Sequence, residues 1–393
     1  MMTIPTEQRV CAICDGADKN TLHKQDFLIP SAKNALSYKV VCCEQCGFAY
    51  ADNIPSQIEL DAFYQDAEHH LHSVDIPVGL SSIHADFFDY VQQKLPLSEQ
   101  SKVLDVGCSM GHFLNYFKLA GIQNLTGLEP SASATMLAKK HYDINVISSS
   151  LDKYQTSNKY DVISLCGVLE HIETLSAAIN HMDDLLAVEG HVFIAVPDVE
   201  SFGKLTLTEP FLEFALEHIN FFSKTSLSNI FEINGFEMVH CESKYYPFYN
   251  NNYLLAVFKK SVDKTSCDDI VFDAVTKPSI EAYIQHSNDL LVSINNTLDL
   301  LIQSQEPVIV WGAGSFTTRL CATTRLSEVN LLGFVDKNAQ LHTKTLLGRT
   351  IHPAKWVEEN RQATIVIASS TYAKEITNEL HNQYVWAGKI IEL

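Results

Sequence analysis

The sequence is short of positive charge. It carries 28 lysines and arginines against 47 acidic residues, a formal net charge of −19. That balance argues against nucleic acid or an anionic membrane as partner, since phosphates are met by lysine and arginine; solubility explains the acid excess well enough. No run approaches the roughly 20 apolar residues of a membrane span, and no basic stretch with a short apolar sequel opens the chain as a secretory leader would. A cytoplasmic protein is expected. Cysteines stay reduced there, so the ten present are not expected to pair as disulfides, and C-x-x-C spacings point to metal or redox chemistry. Hydrophobic residues make up 46%, as in globular proteins. At 393 residues two or three domains are expected, because single cores rarely grow past about 250–300 residues.

Two cysteine pairs stand near the start, Cys11-Ala12-Ile13-Cys14 and Cys43-Glu44-Gln45-Cys46, with 28 residues between them. Each is a knuckle that aims two thiolates at one point, and four thiolates suit tetrahedral zinc. Cys42 is a spare thiol, because the C-x-x-C spacing selects Cys43. Gly47 permits a tight turn after the second knuckle, with Phe48 and Tyr50 expected beneath it. The competing readings are two unrelated thiol pairs or a redox C-x-x-C. A structural ion is favoured because the segment is too short and polar for a core of its own.

Two short amphipathic helices are expected next, over Ile58–Tyr64 and Ile83–Val91. The histidine-rich stretch between them, Glu68-His69-His70-Leu71-His72, reads equally as a lid or as a solvated loop.

The most informative segment is Val103-Leu104-Asp105-Val106-Gly107-Cys108-Ser109-Met110-Gly111-His112-Phe113. An apolar strand closes on an acid, turns through two glycines and a serine, and opens a helix; this is a nucleotide-binding device. Its spacing, G-x-x-x-G, is not the G-x-G-x-x-G that cradles a pyrophosphate. A second acid, Glu129, closes the next apolar run 24 residues after Asp105, where a carboxylate can take both ribose hydroxyls of an adenosine. Further along come Tyr160-Asp161-Val162-Ile163-Ser164-Leu165, Val168-Leu169-Glu170-His171-Ile172 and Gly190-His191-Val192-Phe193-Ile194-Ala195-Val196-Pro197.

This ordered series, over roughly residues 80–260, resembles the class I S-adenosylmethionine (SAM)-dependent methyltransferases. The resemblance implies an α/β fold with a Rossmann-like methyltransferase domain. SAM is then expected on Asp105, Gly107, Ser109, Gly111 and Glu129, with its adenine near Ser149, Ser150 and Leu151, where a further strand ends.

A second α/β unit follows. Val308-Ile309-Val310-Trp311-Gly312-Ala313-Gly314 is again strand and glycine turn, and Leu331-Leu332-Gly333-Phe334-Val335-Asp336 is a strand closing on an acid. It could hold a second dinucleotide, or keep the fold for substrate or interface; the latter is preferred. The expected division is a zinc-binding module over 1–75, a SAM-dependent methyltransferase domain over 76–262, a helical connection over 263–305 and a C-terminal Rossmann-like domain over 306–393.

Taken together, the three parts resemble the sugar C-methyltransferases that act on nucleotide-linked deoxy-keto sugars. In that family a leucine-x-histidine segment and a tyrosine-x-glutamate-histidine segment line the active site. Here they correspond to Leu169-Glu170-His171 and Ala215-Leu216-Glu217-His218, with alanine in place of the tyrosine. The resemblance implies SAM and structural zinc as bound groups and a small-molecule acceptor, a nucleotide sugar among the candidates.

Methyl transfer from a sulfonium needs alignment and a base. For a carbon beside a ketone, a base removes the α-proton and a donor meets the enolate oxygen. Histidine suits both tasks. His218 is assigned as base, oriented by Glu217, and His171 as donor; the reverse assignment of the histidines stays open, as do packing roles for both. An O- or N-methyltransferase is the alternative enzyme, and a scaffold with a vestigial SAM pocket the remote one.

Overall fold

Between residues 102 and 197 short apolar strands alternate with helices. Strands of this kind cannot leave a face in water, so the chain winds into a parallel sheet covered on both sides. In the computed structural model, which describes residues 8–31, 35–54, 78–261 and 269–393, that sheet has seven strands. Across it run Phe236–Tyr246, Asn251–Lys260, Leu186–Pro197, Tyr160–Cys166, Lys102–Val106, Asn124–Leu128 and Asn145–Ile147. The last five are parallel to one another, and Asn251–Lys260 is antiparallel to both its neighbours. Leu104 and Val106 face one core and Val103 the other, as the two-residue period of a strand requires.

The order of these strands fixes where a ligand can sit. From Lys102–Val106 the chain moves outward to Asn124–Leu128 and Asn145–Ile147, and then returns to lay Tyr160–Cys166 on the other side. That reversal opens a crevice between loops 107–111 and 167–171, the place where open α/β sheets bind ligands. Register keeps the strand ends level along this edge: Val106 pairs with Leu128 and Leu165, and Leu128 with Ile147.

Helices Val78–Lys94 and His112–Leu119 cover one face of the sheet, and Leu175–Leu185 and Lys224–Glu232 the other. The helix expected over Ile83–Val91 is part of Val78–Lys94. The helix expected over Ile58–Tyr64 and the loop Glu68–His72 lie outside the described residues.

The N-terminal sheet is antiparallel, ordered Lys19–Phe27, Leu36–Cys43, Ala49–Asp52 and Asn220–Phe221. Its fourth strand comes from far along the chain. Ile13, Val41, Phe48 and Tyr50 share one core with Leu104 and Ile163 of the large sheet and Leu227 of helix Lys224–Glu232. The cysteine-bearing region is thus built into its neighbour and does not stand apart.

A third sheet runs Thr345–Leu346, Arg349–Pro353, Leu331–Asp336, Val308–Trp311, Thr364–Ile367 and Ile390–Glu392. The helix Thr276–Ser304 reaches it from the centre of the molecule. Ile280, Tyr283 and Ser287 lie on its buried stripe, continued by Ile294, Leu298 and Leu301, at helical spacing. The first two pack under the N-terminal sheet and the last three against the third sheet. Among the described residues no helix is long and apolar enough to cross a membrane.

Candidate active site

The strand Lys102–Val106 delivers Asp105 to the crevice with 3% exposure. Its Oδ1 accepts from Ser164 Oγ at 2.7 Å, and burial raises the carboxyl to about 7. The chain then turns through left-handed conformations at Gly107 (φ +70°), Ser109 (φ +47°) and Gly111 (φ +78°). Glycine in such a turn can make room for a ligand where a Cβ would clash. At Gly107 the tightest neighbour is protein: a Cβ there would lie 2.5 Å from Val168 Cγ2, across the crevice. Gly111 caps the helix His112–Leu119.

Glu129 closes over this turn. Its Oε2 accepts from the Ser109 amide at 3.0 Å and its Oε1 from the Ser131 amide at 2.8 Å. A carboxylate offers about four lone-pair sites and can accept hydroxyls as well as amides. Ser149, Ser150 and Leu151 follow one strand further out, after Asn145–Ile147, and the Glu129 amide donates to Ile147 O at 3.1 Å. Ser149 Oγ is turned onto the Ser150 carbonyl at 3.1 Å. All eight residues expected to hold SAM therefore lie on or just beyond one sheet edge.

His171 ends the short 3-10 helix Leu169–His171 that follows Tyr160–Cys166; His218 lies just before strand Asn220–Phe221. The two rings meet with centroids 5.1 Å apart and planes at 57°. His171 Nδ1 bonds Glu217 O at 2.8 Å, and His218 Nδ1 bonds Glu213 O at 3.3 Å. A carbonyl only accepts, so both Nδ1 atoms carry protons. Burial, seconded by His171, lowers His218 to about 4, so it is neutral at pH 7.

This geometry corrects one expectation. Glu217 does not orient His218: its backbone carbonyl holds His171, and the carbonyl five residues before His218 takes over His218. The Glu217 carboxylate acts on His218 through its charge, which favours the protonated ring.

Two buried acids escaped sequence reasoning. Glu170 is 2% exposed, and its Oε2 has no hydrogen-bond partner among the described residues. Glu170 Oε1 lies 4.0 Å from His171 Nε2, and burial raises its carboxyl. Glu213 is also buried, which lifts it to about 8. Glu170 could have been found from its place beside His171. Glu213 had no local signal, because it is fixed by Tyr283, whose hydroxyl accepts from the Glu213 amide at 2.9 Å. Glu170, His171 and His218 each offer a ligand atom within 4.8 Å of the others. A carboxyl whose burial favours its neutral form suits proton handling better than metal binding.

The four expected cysteines converge. Cys11 and Cys46 place their Sγ atoms 3.4 Å apart, Cys14 and Cys43 likewise, and all four lie within 4.8 Å of one another. A tetrahedral ion with bonds of about 2.3 Å has ligand edges of roughly 3.8 Å, so the set could hold zinc. These closest pairs join the two knuckles, whereas a redox C-x-x-C would pair within one. Cys42 points its Sγ at Gly47 O, 3.3 Å away, and takes no part. Gly47 (φ +80°) serves more than the turn: a Cβ there would lie 2.1 Å from the Asp273 carbonyl oxygen. Phe48 stacks on Tyr50 at 5.7 Å, as expected.

Comparison with known proteins agrees with this geometry. Residues 81–241 match a family model described as a methyltransferase domain, and residues 304–391 one described as C2185-like, N-terminal. A ubiquinone biosynthesis O-methyltransferase of Actinobacillus pleuropneumoniae is 31% identical over 120 residues, 27% of this chain and 50% of that protein. The Cronobacter sakazakii enzyme of the same name is 29% identical over 101 residues, 24% of this chain and 41% of that one. The chain spans about half the length of the curated relatives it matches. A solved structure of the Burkholderia thailandensis 1,6-didemethyltoxoflavin-N1-methyltransferase with S-adenosylhomocysteine is 14% identical, with TM-score 0.41, covering 59% of this chain and 99% of that one. Magnesium protoporphyrin IX methyltransferase from Synechocystis with bound SAM is 16% identical, with TM-score 0.37, covering 52% and 96%. Residues 81–241 carry a methyltransferase domain.

Proposed function

We propose that this protein moves the SAM methyl group to carbon, on a small acceptor whose C–H is acidified by a neighbouring carbonyl. A nucleotide-linked keto-sugar is the acceptor of first choice. The observation that carries this reading is the pair of imidazoles 5.1 Å apart, with Nδ1 committed to carbonyls and Nε2 free, beside the glycine turn. Bound SAM supplies an electrophilic methyl on a sulfonium, held over Asp105, Gly107, Ser109 and Gly111 with Glu129 on its ribose and Ser149, Ser150 and Leu151 near its adenine.

His218 is the base: its neutral Nε2 takes the α-proton. His171 meets the enolate oxygen. With Nδ1 already donating to Glu217 O, it can donate again from Nε2 only as an imidazolium. Glu170, 4.0 Å away and favoured neutral by burial, passes its proton to His171 Nε2 and then stands as the counter-charge for that form. Abstraction then gives His218 its second ring proton, on Nε2. Glu217 acts on His171 through its backbone carbonyl.

Cys11, Cys14, Cys43 and Cys46 fit a structural zinc, with no open position for a reacting group. In this reading the chain divides near residues 75, 262 and 305, works in the cytoplasm, and has neither nucleic acid nor membrane as partner.

One observation favours a second reading. The curated relatives are named O-methyltransferases, and the same base could deprotonate a hydroxyl. Incubation with SAM carrying a carbon-13 methyl and a thymidine-diphosphate-linked 4-keto-6-deoxyhexose separates the two. A new methyl at the shift of a carbon-bound group supports C-methylation, and one at the shift of a methoxyl replaces it with O-methylation.

A further inference from the structure

The C-terminal sheet ends in a glycine turn like that of a nucleotide site, yet its edge is occupied by the methyltransferase domain. Asp336, the acid a dinucleotide would need for its ribose, accepts from the Ala313 amide at 2.7 Å and the Asn338 amide at 2.8 Å. Helix Ser315–Thr323 starts at this turn, and Arg319 on it is 3% exposed. The Arg319 guanidinium donates to Phe211 O and to the Glu209 carboxylate and lies 5.6 Å from the Phe27 ring centroid. Glu209 is 5% exposed and also accepts from Ser370 Oγ at 3.1 Å. Helix Ser315–Thr323 and the loop after Thr364–Ile367 thus close on one carboxylate of the neighbouring domain.

From that grip the chain is held stepwise towards the active site. The Phe211 amide donates to Ser287 Oγ at 3.1 Å, and His23 stacks on the Phe211 ring at 4.3 Å. The Glu213 amide donates to Tyr283, and Tyr38 donates to Ala215 O at 3.1 Å. Glu213 O then fixes the His218 ring. Removing Arg319 would leave the buried Glu209 charge uncompensated and free the Phe211 carbonyl at the head of this chain.

We propose that Arg319 is a positioning residue for methyl transfer: it anchors segment 209–218 and, through the Glu213 carbonyl, sets the His218 ring against His171. The proposal rests on the role given to His218 above. The C-terminal domain then serves as a clamp on the acceptor side of the active site rather than as a second nucleotide carrier.

The test uses the full-length protein with SAM and no acceptor. Arg319→Met keeps the bulk and removes the charge, while Glu209→Gln removes only the partner. Amide exchange across 209–219, nitrogen-15 NMR titration of the His218 imidazole and calorimetric SAM affinity are measured on each. Glu170, His171, Glu213 and Glu217 are the titratable neighbours that bear on the imidazole signal.

Arg319→Met should speed exchange across 209–219 by about tenfold or more and move the His218 titration from about 4 towards 6.5, with SAM affinity kept. Glu209→Gln should do the same to a smaller degree, and decides alone if Arg319→Met fails to fold. A variant that binds SAM normally and leaves both the exchange and the titration at wild-type values overturns the proposal. No acceptor is used, so this outcome and that of the carbon-methylation test are independent.

Discussion

His171 and His218 face each other across the crevice with ring centroids 5.1 Å apart, each steadied by a carbonyl from the segment that carries His218. Glu217 O holds the first ring and Glu213 O the second. One curl of chain therefore sets both imidazoles. His218→Ala should cut turnover by about 10²–10⁴-fold, the usual contribution of a general base, with SAM affinity nearly unchanged. Steady-state kinetics beside calorimetry checks this, and near-normal turnover would move the base to His171.

Glu129 bridges the amides of Ser109 and Ser131 and is expected to hold the ribose. Glu129→Ala should weaken SAM by roughly 1.5–3 kcal/mol, the range for hydrogen bonds to a charged group. Titration calorimetry measures it directly; unchanged affinity would remove Glu129 from the site.

Cys14→Ser should abolish stoichiometric zinc and lower stability severely, since structural zinc in finger peptides contributes on the order of 10 kcal/mol. The damage should spread beyond the cysteines. The Cys46 carbonyl receives the Asp273 amide at 2.8 Å, and Arg9 reaches Ile219 O at 2.8 Å, next to His218. Elemental analysis with thermal unfolding checks both parts. A wild-type protein purified without metal and with its fold intact would contradict the zinc reading.

Acid should unfold the protein partly through histidine. Beside the glycine turn, His84 and His112 stand with centroids 5.9 Å apart, and His84 Nδ1 and His112 Nε2 are buried without hydrogen-bond partners among the described residues. Burial lowers both from 6.5 to about 4. The unfolded chain binds more protons between those values, so their contribution is full above about pH 6.5 and is lost as pH falls towards 4. Asp105 and Glu213 carry the opposite sign, being raised to about 7 and 8: their contribution is present in acid and lost as pH rises through those values. Comparison with a variant isolates the histidines. In His84→Leu, the drop in unfolding free energy between pH 6.5 and 4.5 should be smaller than in the parent, by denaturant titration at each pH. An equal drop would clear the pair.

Much of the fold was legible because its signals are local. The acid–glycine–glycine turn at Asp105, Gly107 and Gly111, the acid at Glu129 and the paired C-x-x-C knuckles each encode a backbone shape within a few residues. Cys43 over Cys42 follows from spacing alone. What escaped is what long-range packing decides. Asn220–Phe221 is a strand because Ala49–Asp52 offers it an edge. Glu213 belongs to the site because Tyr283 holds it from a helix 70 residues away. The hydrogen bond expected from Glu217 to His218 is made instead by Glu213 O, five residues earlier, a contact that residue order does not show.

The base can be watched without any methyl transfer. In deuterated water, with S-adenosylhomocysteine in place of SAM and the thymidine-diphosphate-linked keto-sugar as acceptor, His218 should exchange the acceptor α-proton for deuterium. Proton NMR should show that signal fading with wild-type protein and persisting with His218→Ala. No wash-in by a wild-type protein that methylates the same acceptor, or equal wash-in by the variant, would contradict carbon methylation with His218 as base.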